Sequence, residues 1–222
     1  MPRIFIGVGH GGTDSGAIGN GFKEKDLNLS IALACNEILV NHGVTVMMSR
    51  TKDENDNISE EIKECNNFKP DIAIDIHNNA GGGDGAECFY HYAGGKGKIL
   101  AENVLTEIVK TGQNSRGTKT RVNSSGKDYY AFIRETTAPA IIVECAFVDN
   151  ATDIQILNTV DKQVAMGKAV AKGILRTLGI PYVETKKLYR VQVGAYELKS
   201  NAIITQNILK SYGYDAIIVD TN

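Results

Sequence analysis

The chain has 222 residues, of which 42% are hydrophobic and 23% charged. These values are close to globular averages and exclude a disordered, collagen-like or coiled-coil protein. Its 24 basic and 26 acidic side chains give a net charge of -2, which argues against a nucleic-acid partner because phosphate neutralisation needs a basic excess. No apolar run approaches the ~20 residues of a membrane span. The opening residues lack the pattern of a signal peptide, so we expect synthesis in the cytoplasm without classical secretion.

Predicted strands alternate with predicted helices along the first 180 residues. The apolar run RIFIGV predicts a short buried strand over 3–8, which a glycine-rich loop follows. Apolar residues spaced by three and four then predict an amphipathic helix that ends at Gly43. This order predicts an α/β fold with a mixed, mostly parallel sheet flanked by helices on both faces. The further predicted strands are 44–48, 71–76, 86–92 and 138–143, and the further predicted helices are 56–67, 99–109 and 160–178.

Two features of the sequence do not indicate one particular structure or function. Residues 112–128 are polar without a clear period, so either a loop beside a cleft or a surface excursion fits them. The four cysteines have no paired or zinc-knuckle spacing. We interpret them as small buried thiols in a reducing compartment; they are Cys35, Cys65, Cys88 and Cys145.

Two histidines and a glutamate lie at the ends of predicted strands. His10 follows the first strand, His77 the third and Glu144 the last. In an open parallel sheet the carboxyl ends of the strands share one edge. Two imidazoles and a carboxylate gathered there match the ligands of zinc. Glu24, at the entry to the first helix, is a second carboxylate that could fold over this edge, and spacing leaves open which glutamate binds metal and which acts as a base.

Three stretches of sequence resemble the zinc-dependent N-acetylmuramoyl-L-alanine amidases of the amidase-3 type, in order over residues 3–179. They are GHGGTDSGAIGNGFKEKDLNL (9–29), IDIHNNA (74–80) and APAIIVECAFVDN (138–150). The resemblance implies a catalytic domain over 1–180 that hydrolyses peptidoglycan. The bond cleaved would be the amide between N-acetylmuramic acid and the L-alanine of the stem peptide.

The resemblance also assigns roles to single residues. Members of the amidase-3 type hold zinc with a histidine after the first strand, a glutamate at the start of the next helix and a histidine after a middle strand. Carried onto this sequence, the zinc ligands are His10, Glu24 and His77. A late glutamate is the catalytic acid/base of the family, which here is Glu144.

A few polar residues near these positions have open roles. Asp75 stands where the family has a serine, two residues before His77 and on the same strand face. It could hydrogen-bond the imidazole of the ligand or be an ordinary polar residue at a strand end. Arg50, Asn78 and Asn79 could line the substrate cleft or serve local turns.

The C-terminal stretch LYRVQVGAYELKSNAIITQNILKSYGYDAIIV (188–219) resembles the opening half of a sporulation-related repeat (SPOR) domain. That family binds the glycan strands of peptidoglycan. We therefore expect a linker over 181–187 and a small βαβ module over 188–222, for wall binding or dimerisation. Two such halves from two chains could complete one sheet in a homodimer; the alternative is docking on the chain's own catalytic domain. The predicted elements are a strand over 188–193, a helix over about 198–211 and a strand over about 214–219.

The biological setting and the class of activity each have alternatives. A phage or prophage endolysin is favoured, and a bacterial amidase that acts when the mother cell lyses also fits. A non-catalytic wall-binding or regulatory protein on the same scaffold is opposed by the presence of all four zinc and base residues. A third alternative is a zinc peptidase that cuts within the stem peptide.

Overall fold

The computed structural model describes residues 1–184 and 191–220. These residues form two compact units, 1–183 and 184–222. The strands of the first unit are β1 (Arg3–Val8), β2 (Ile18–Gly19), β3 (Phe22–Lys23), β4 (Thr45–Met48), β5 (Ile72–Asn79), β6 (Ala86–Tyr90), β7 (Ser115–Lys119) and β8 (Ala140–Phe147). Its helices are α1 (Glu24–Asn41), α2 (Ile58–Phe68), α3 (Gly95–Val109), α4 (Ala131–Glu135) and α5 (Val160–Thr177), with a 3-10 turn at Asp153–Ile156.

Six strands form one sheet in the order β4-β1-β5-β8-β6-β7. The strands β4, β1, β5 and β8 are parallel to one another. In contrast, β6 runs antiparallel to β8, and β7 pairs in parallel with β6. The predicted mixed, mostly parallel sheet is therefore confirmed. Its topology places the carboxyl ends of β1, β5 and β8 at the same edge as the amino end of β6.

Apolar side chains cover both faces of the sheet, because neighbours along a strand point to opposite sides. On one face, residues such as Ile74 and Val143 belong to a large core with residues of α1, α3 and α5. On the other face, Phe5 and Ile142 belong to a smaller core with residues of α2 and α4. All four cysteines are buried and free. Cys145 lies in the large core, so it faces away from the side occupied by Glu144.

Several elements of the first unit have no signal in the sequence, and the longest strand among them is β7. The sequence of β7 is SRGTK, which has no apolar alternation, and pairing with β6 alone makes it an edge strand. Polar residues are usual on sheet edges because they discourage pairing with other chains. The polar region 112–128 therefore contains a strand rather than only a loop. The helix α4, of 5 residues, is also not predicted, and neither are the two-residue strands β2 and β3 or the 3-10 turn.

In the second unit, α6 (Lys199–Ser211) corresponds to the predicted helix. The two predicted tail strands are wrong where the structure describes them, since 191–193 and 214–219 are not in strands. Residues 188–190 of the first strand and 185–187 of the predicted linker lie outside the described residues. A strand is stable only when another strand and an apolar layer cover it. Val191 and Ile217 are 85% and 74% exposed, so no apolar layer covers these two residues.

None of the described helices combines the length and the apolar character that a membrane span requires.

Candidate functional site

Three side chains with metal-binding atoms meet at the carboxyl edge of the sheet. His10 follows β1, Glu24 is the first residue of α1 and His77 belongs to β5. One ligand atom from each lies within 4.8 Å of the others. The structure therefore brings together the three residues predicted as ligands, although they are distant in sequence.

The backbone of His10 adopts an uncommon conformation. Its φ of 63° lies in the left-handed region, which costs a residue other than glycine about 1–3 kcal/mol and is frequent at functional sites. The preceding carbonyl, of Gly9, accepts hydrogen bonds from Asn28 Nδ2 at 2.9 Å and Arg50 Nη2 at 3.3 Å. These buried bonds hold the turn that aims the His10 ring toward Glu24.

Glu24 is the centre of the cluster. Its Oε2 lies 3.2 Å from His10 Nε2 and accepts a hydrogen bond from the Ala17 amide at 2.9 Å. Its Oε1 lies 3.0 Å from His77 Nδ1 and accepts a bond from the Asn78 amide at 3.1 Å. Burial acts to raise the pKa of Glu24, but the hydrogen bonds from His10 and His77 outweigh it and hold that pKa below its ordinary range. Glu24 is therefore a carboxylate.

Each imidazole faces a second carboxylate through its other nitrogen. His10 Nδ1 is 2.8 Å from Asp14 Oδ2. His77 Nε2 is 3.1 Å from Asp75 Oδ2, so the hydrogen bond considered for Asp75 is present. A neutral imidazole has one N–H and can donate to only one carboxylate. A protonated ring can donate to both carboxylates, whereas a ring that held a cation through the nitrogen facing Glu24 would donate its one N–H to the outer carboxylate.

Close packing fixes the His77 ring. A Cβ at residue 9 would lie 2.2 Å from an atom of that ring, so only glycine leaves room for it. Buried Asn78 donates to Asn28 Oδ1 at 2.8 Å through its side chain and to Glu24 Oε1 through its backbone amide. Arg50 is also buried and donates to backbone carbonyls, so neither residue is free to line a substrate cleft.

The remaining predicted residue, Glu144, lies beside His77 in the parallel register of β5 and β8. Its Oε2 is buried and has no hydrogen-bond partner among the described residues. Burial raises the pKa of Glu144 to about 7, with attraction by His77 opposing the shift and repulsion by Glu24 adding to it. A carboxyl group with such a pKa can take up and release a proton near neutral pH.

Glu87 is a site residue that the sequence analysis missed. It pairs with Glu144 in the antiparallel register of β6 and β8, and Asn79 donates to its Oε1 at 3.0 Å. No local spacing marks which residues become cross-strand neighbours. The other histidines lie apart from the cluster: His42 contacts the Ile38 carbonyl at 2.7 Å, and His91 contacts Asp128 at 2.9 Å.

Comparison with known proteins gives consistent matches. The family model described as N-acetylmuramoyl-L-alanine amidase matches residues 4–176. The chain is 33% identical over 223 residues to the sporulation-specific N-acetylmuramoyl-L-alanine amidase of Bacillus subtilis (strain 168), covering 99% of this chain and 85% of that protein. It is 30% identical over 186 residues to the endolysin of Bacillus phage SPP1, covering 80% of this chain and 66% of the endolysin.

A solved structure matches as well. The catalytic domain of CwlV, an N-acetylmuramoyl-L-alanine amidase from Bacillus (Paenibacillus) polymyxa, is similar with a TM-score of 0.73 and 29% identity. The match covers 82% of this chain and 100% of that domain. Together with the family match over residues 4–176, these similarities show that the chain belongs to the Amidase_3 family of N-acetylmuramoyl-L-alanine amidases.

Proposed function

We propose that this chain is a zinc-dependent hydrolase that cleaves the amide bond between N-acetylmuramic acid and L-alanine in peptidoglycan. Family membership supports the reaction. Two imidazoles and one carboxylate, from His10, His77 and Glu24, are a ligand set typical of catalytic zinc. The observation that carries the proposal is the buried, unpartnered carboxyl oxygen of Glu144 beside His77.

Glu144 is assigned the proton transfers. When bound, zinc supplies Lewis-acid polarisation of the amide carbonyl. Glu144 accepts a proton from water as the water oxygen attacks the carbonyl carbon. The C–N bond then breaks, and Glu144 delivers the proton to the leaving nitrogen, which departs as the free amino group of L-alanine. Asp14 and Asp75 keep the two ligand imidazoles in the orientation that the site requires.

Substitution of Glu144 tests this assignment. We expect Glu144→Gln to keep its zinc but to hydrolyse muropeptides about 100-fold or more slowly, because the amide cannot accept the proton. His77→Ala should instead lower the zinc content measured by metal analysis of the purified protein. Normal turnover in the Glu144→Gln variant would contradict the role of Glu144, and unchanged zinc content in His77→Ala would remove His77 as a ligand.

The products of a digest separate the alternatives. Mass spectrometry should find new L-alanine amino termini after wild-type protein acts on purified peptidoglycan. Cuts within the stem peptide would instead identify a zinc peptidase. An absence of products from zinc-loaded protein would favour a non-catalytic wall-binding protein, although all four zinc and base residues are present.

Similarity along the chain bears on the biological setting. The match to the sporulation-specific amidase covers 99% of the chain, tail included, whereas the match to the phage endolysin covers 80%. This favours a bacterial amidase acting at mother-cell lysis over the endolysin setting that the sequence analysis preferred. Transcripts confined to sporulating cells would agree with this setting, and transcripts confined to phage induction would contradict it.

We assign the tail a role in wall binding. We also propose that it forms a dimer with the tail of a second copy of the chain. Catalysis is assigned to residues 1–180. Helix α6 buries none of its residues, and its Ile204 and Ile208 side chains are 58% and 50% exposed. Apolar exposure of this kind is removed when a second copy of the same element packs against it. A homodimer through the SPOR-like module is consistent with this exposure.

A further inference from the structure

A pair of cations lies beside Glu144 and has no part in the proposed proton transfers. Arg116 Nε donates to Glu87 Oε2 at 2.8 Å, and Lys119 Nζ donates to the same oxygen. Glu87 is itself the cross-strand neighbour of Glu144. The two cations of β7 therefore extend the row of functional side chains from His77 through Glu144 and Glu87 toward the edge of the sheet.

The cluster has an unbalanced positive charge that solvent can reach. The Glu87 side chain is 7% exposed, whereas those of Arg116 and Lys119 are 37% and 36% exposed. One buried carboxylate thus holds two partly exposed cations, so the group of Glu87, Arg116 and Lys119 by itself carries one positive charge.

Arg116 is held so that part of its guanidinium remains available. Its Nε is bonded to Glu87, and its Cζ lies 5.0 Å from the centre of the Phe147 ring. Its two terminal nitrogens have no hydrogen-bond partner among the described residues. A guanidinium fixed at Nε presents a planar pair of N–H groups that matches a carboxylate.

The spacing of the strands matches the distance between the scissile amide and one particular carboxylate of the substrate. Adjacent strands are about 4.8 Å apart, so β6 and β7 lie about 5 and 10 Å from β8, which carries Glu144. Two extended residues span about 7 Å. In peptidoglycan the second stem residue, D-glutamate, is linked through its γ-carboxyl group, so its α-carboxylate remains free. That group is two residues from the scissile amide, so a stem peptide that runs from Glu144 across β6 brings it between β6 and β7.

We propose that Arg116 and Lys119, anchored by Glu87, form a subsite that binds the free α-carboxylate of the D-glutamate in the stem peptide. This inference rests on the proposed function and specifies its substrate. The subsite distinguishes stem peptides with D-glutamate from those in which this carboxylate is amidated to D-isoglutamine. Its positive charge attracts the carboxylate, and the neutral amide cannot form the same charge-assisted pair.

The test uses two synthetic muramoyl tripeptides with L-lysine as the third residue, one with D-glutamate and one with D-isoglutamine at the second. We expect zinc-loaded full-length protein to cleave the D-glutamate substrate with about 10-fold higher kcat/KM. In Arg116→Gln the ratio of the two kcat/KM values should fall close to one, mainly through loss on the D-glutamate substrate. Arg116→Lys should keep part of the preference because it keeps the charge.

The ratio is measured within each preparation, so a lower fraction of folded protein does not alter it. Arg176→Gln removes the same charge from an exposed position on α5 and should leave the ratio unchanged. A wild-type ratio near one, or a preference that survives in both Arg116→Gln and Lys119→Gln, would overturn the subsite. Cleavage of neither substrate by the wild type, with no products from whole peptidoglycan, would instead refute the proposed function.

Discussion

At the residue scale, the carboxyl group of Glu61 lies close to Asp75, the carboxylate that contacts the His77 ring. Glu61 of α2 is buried. Its Oε1 and Asp75 Oδ1 lie 2.0 and 2.7 Å from the point that a Cβ of residue 7 would occupy, so Gly7 makes room for both. Neither oxygen has a hydrogen-bond partner among the described residues. Burial first, and then the charge of Asp75, raises the pKa of Glu61 well above its ordinary value.

This raised pKa predicts how stability depends on pH. The folded chain keeps a proton on Glu61 that the unfolded chain releases above its ordinary pKa of 4.5. The contribution of Glu61 is therefore favourable at low pH and is lost as pH rises from 4.5 toward the folded pKa. Glu61→Gln has no such group, so its free energy of unfolding should rise relative to that of wild type as the pH increases above 4.5.

Urea unfolding at several pH values measures this difference. Glu60→Gln, an exposed change on the same helix, removes an equal charge that is not among those raising the pKa of Glu61, and it should leave the effect of Glu61 in place. Parallel curves for wild type and Glu61→Gln above pH 4.5 would show that Glu61 is charged in the folded protein.

At the scale of elements, Arg50 connects the end of β1 to the start of α1. Its Nε donates to the Val8 carbonyl at 3.0 Å and its Nη2 to the Lys25 carbonyl at 2.8 Å. It also reaches the carbonyls of Gly9 and Lys52. One planar side chain thus fixes the spacing between His10, which follows β1, and Glu24, which begins α1.

Replacing Arg50 by lysine should be costly because an ammonium group cannot reproduce the fork of donors. We expect Arg50→Lys to lose about 2–3 kcal/mol of unfolding free energy through unsatisfied buried carbonyls. Arg176→Lys, the same change at a 58% exposed side chain, should cost less than about 0.5 kcal/mol. Equal stability of the two variants in urea unfolding would mean that Arg50 is not needed to join these elements.

The residue patterns of individual strands and helices explain which of them the sequence predicts and which it does not. Helix α5 carries a strong apolar pattern and is predicted to within one residue of its observed bounds, whereas the apolar run of β5 predicts a strand that ends at 76 rather than at Asn79. Strand β7 is polar on both faces, so only its pairing with β6 makes it a strand. The approach of His10 to His77 is predicted from the shared edge of parallel strands, whereas Glu24, on a helix, is assigned as the third ligand only by the family resemblance. In contrast, Glu87 and Glu61 reach the site through strand pairing and helix packing, which leave no periodic signal.

At the scale of the whole molecule, the chain divides into a large unit and a small one at Val183. The first unit has its own cores, as expected of a part that folds alone. The second has one described helix without buried residues. A unit with so little buried surface is marginal by itself, which agrees with the proposal that a second copy completes it.

Truncation after Val183 tests that proposal. We expect the full chain to sediment as a dimer and the truncated chain as a monomer in analytical ultracentrifugation. The truncated chain should still hydrolyse soluble muropeptides, because the candidate site lies entirely within the first unit. A monomeric full chain would refute dimerisation, and a dimeric truncated chain would place the interface outside the tail.

The buried cysteines have a practical consequence. All four thiols are shielded from solvent, and burial raises the pKa of Cys65 to about 12, so reactive thiolate is scarce. Maleimide reagents should therefore leave the native chain unmodified. A fluorophore attached through one engineered surface cysteine would then report on a single known position.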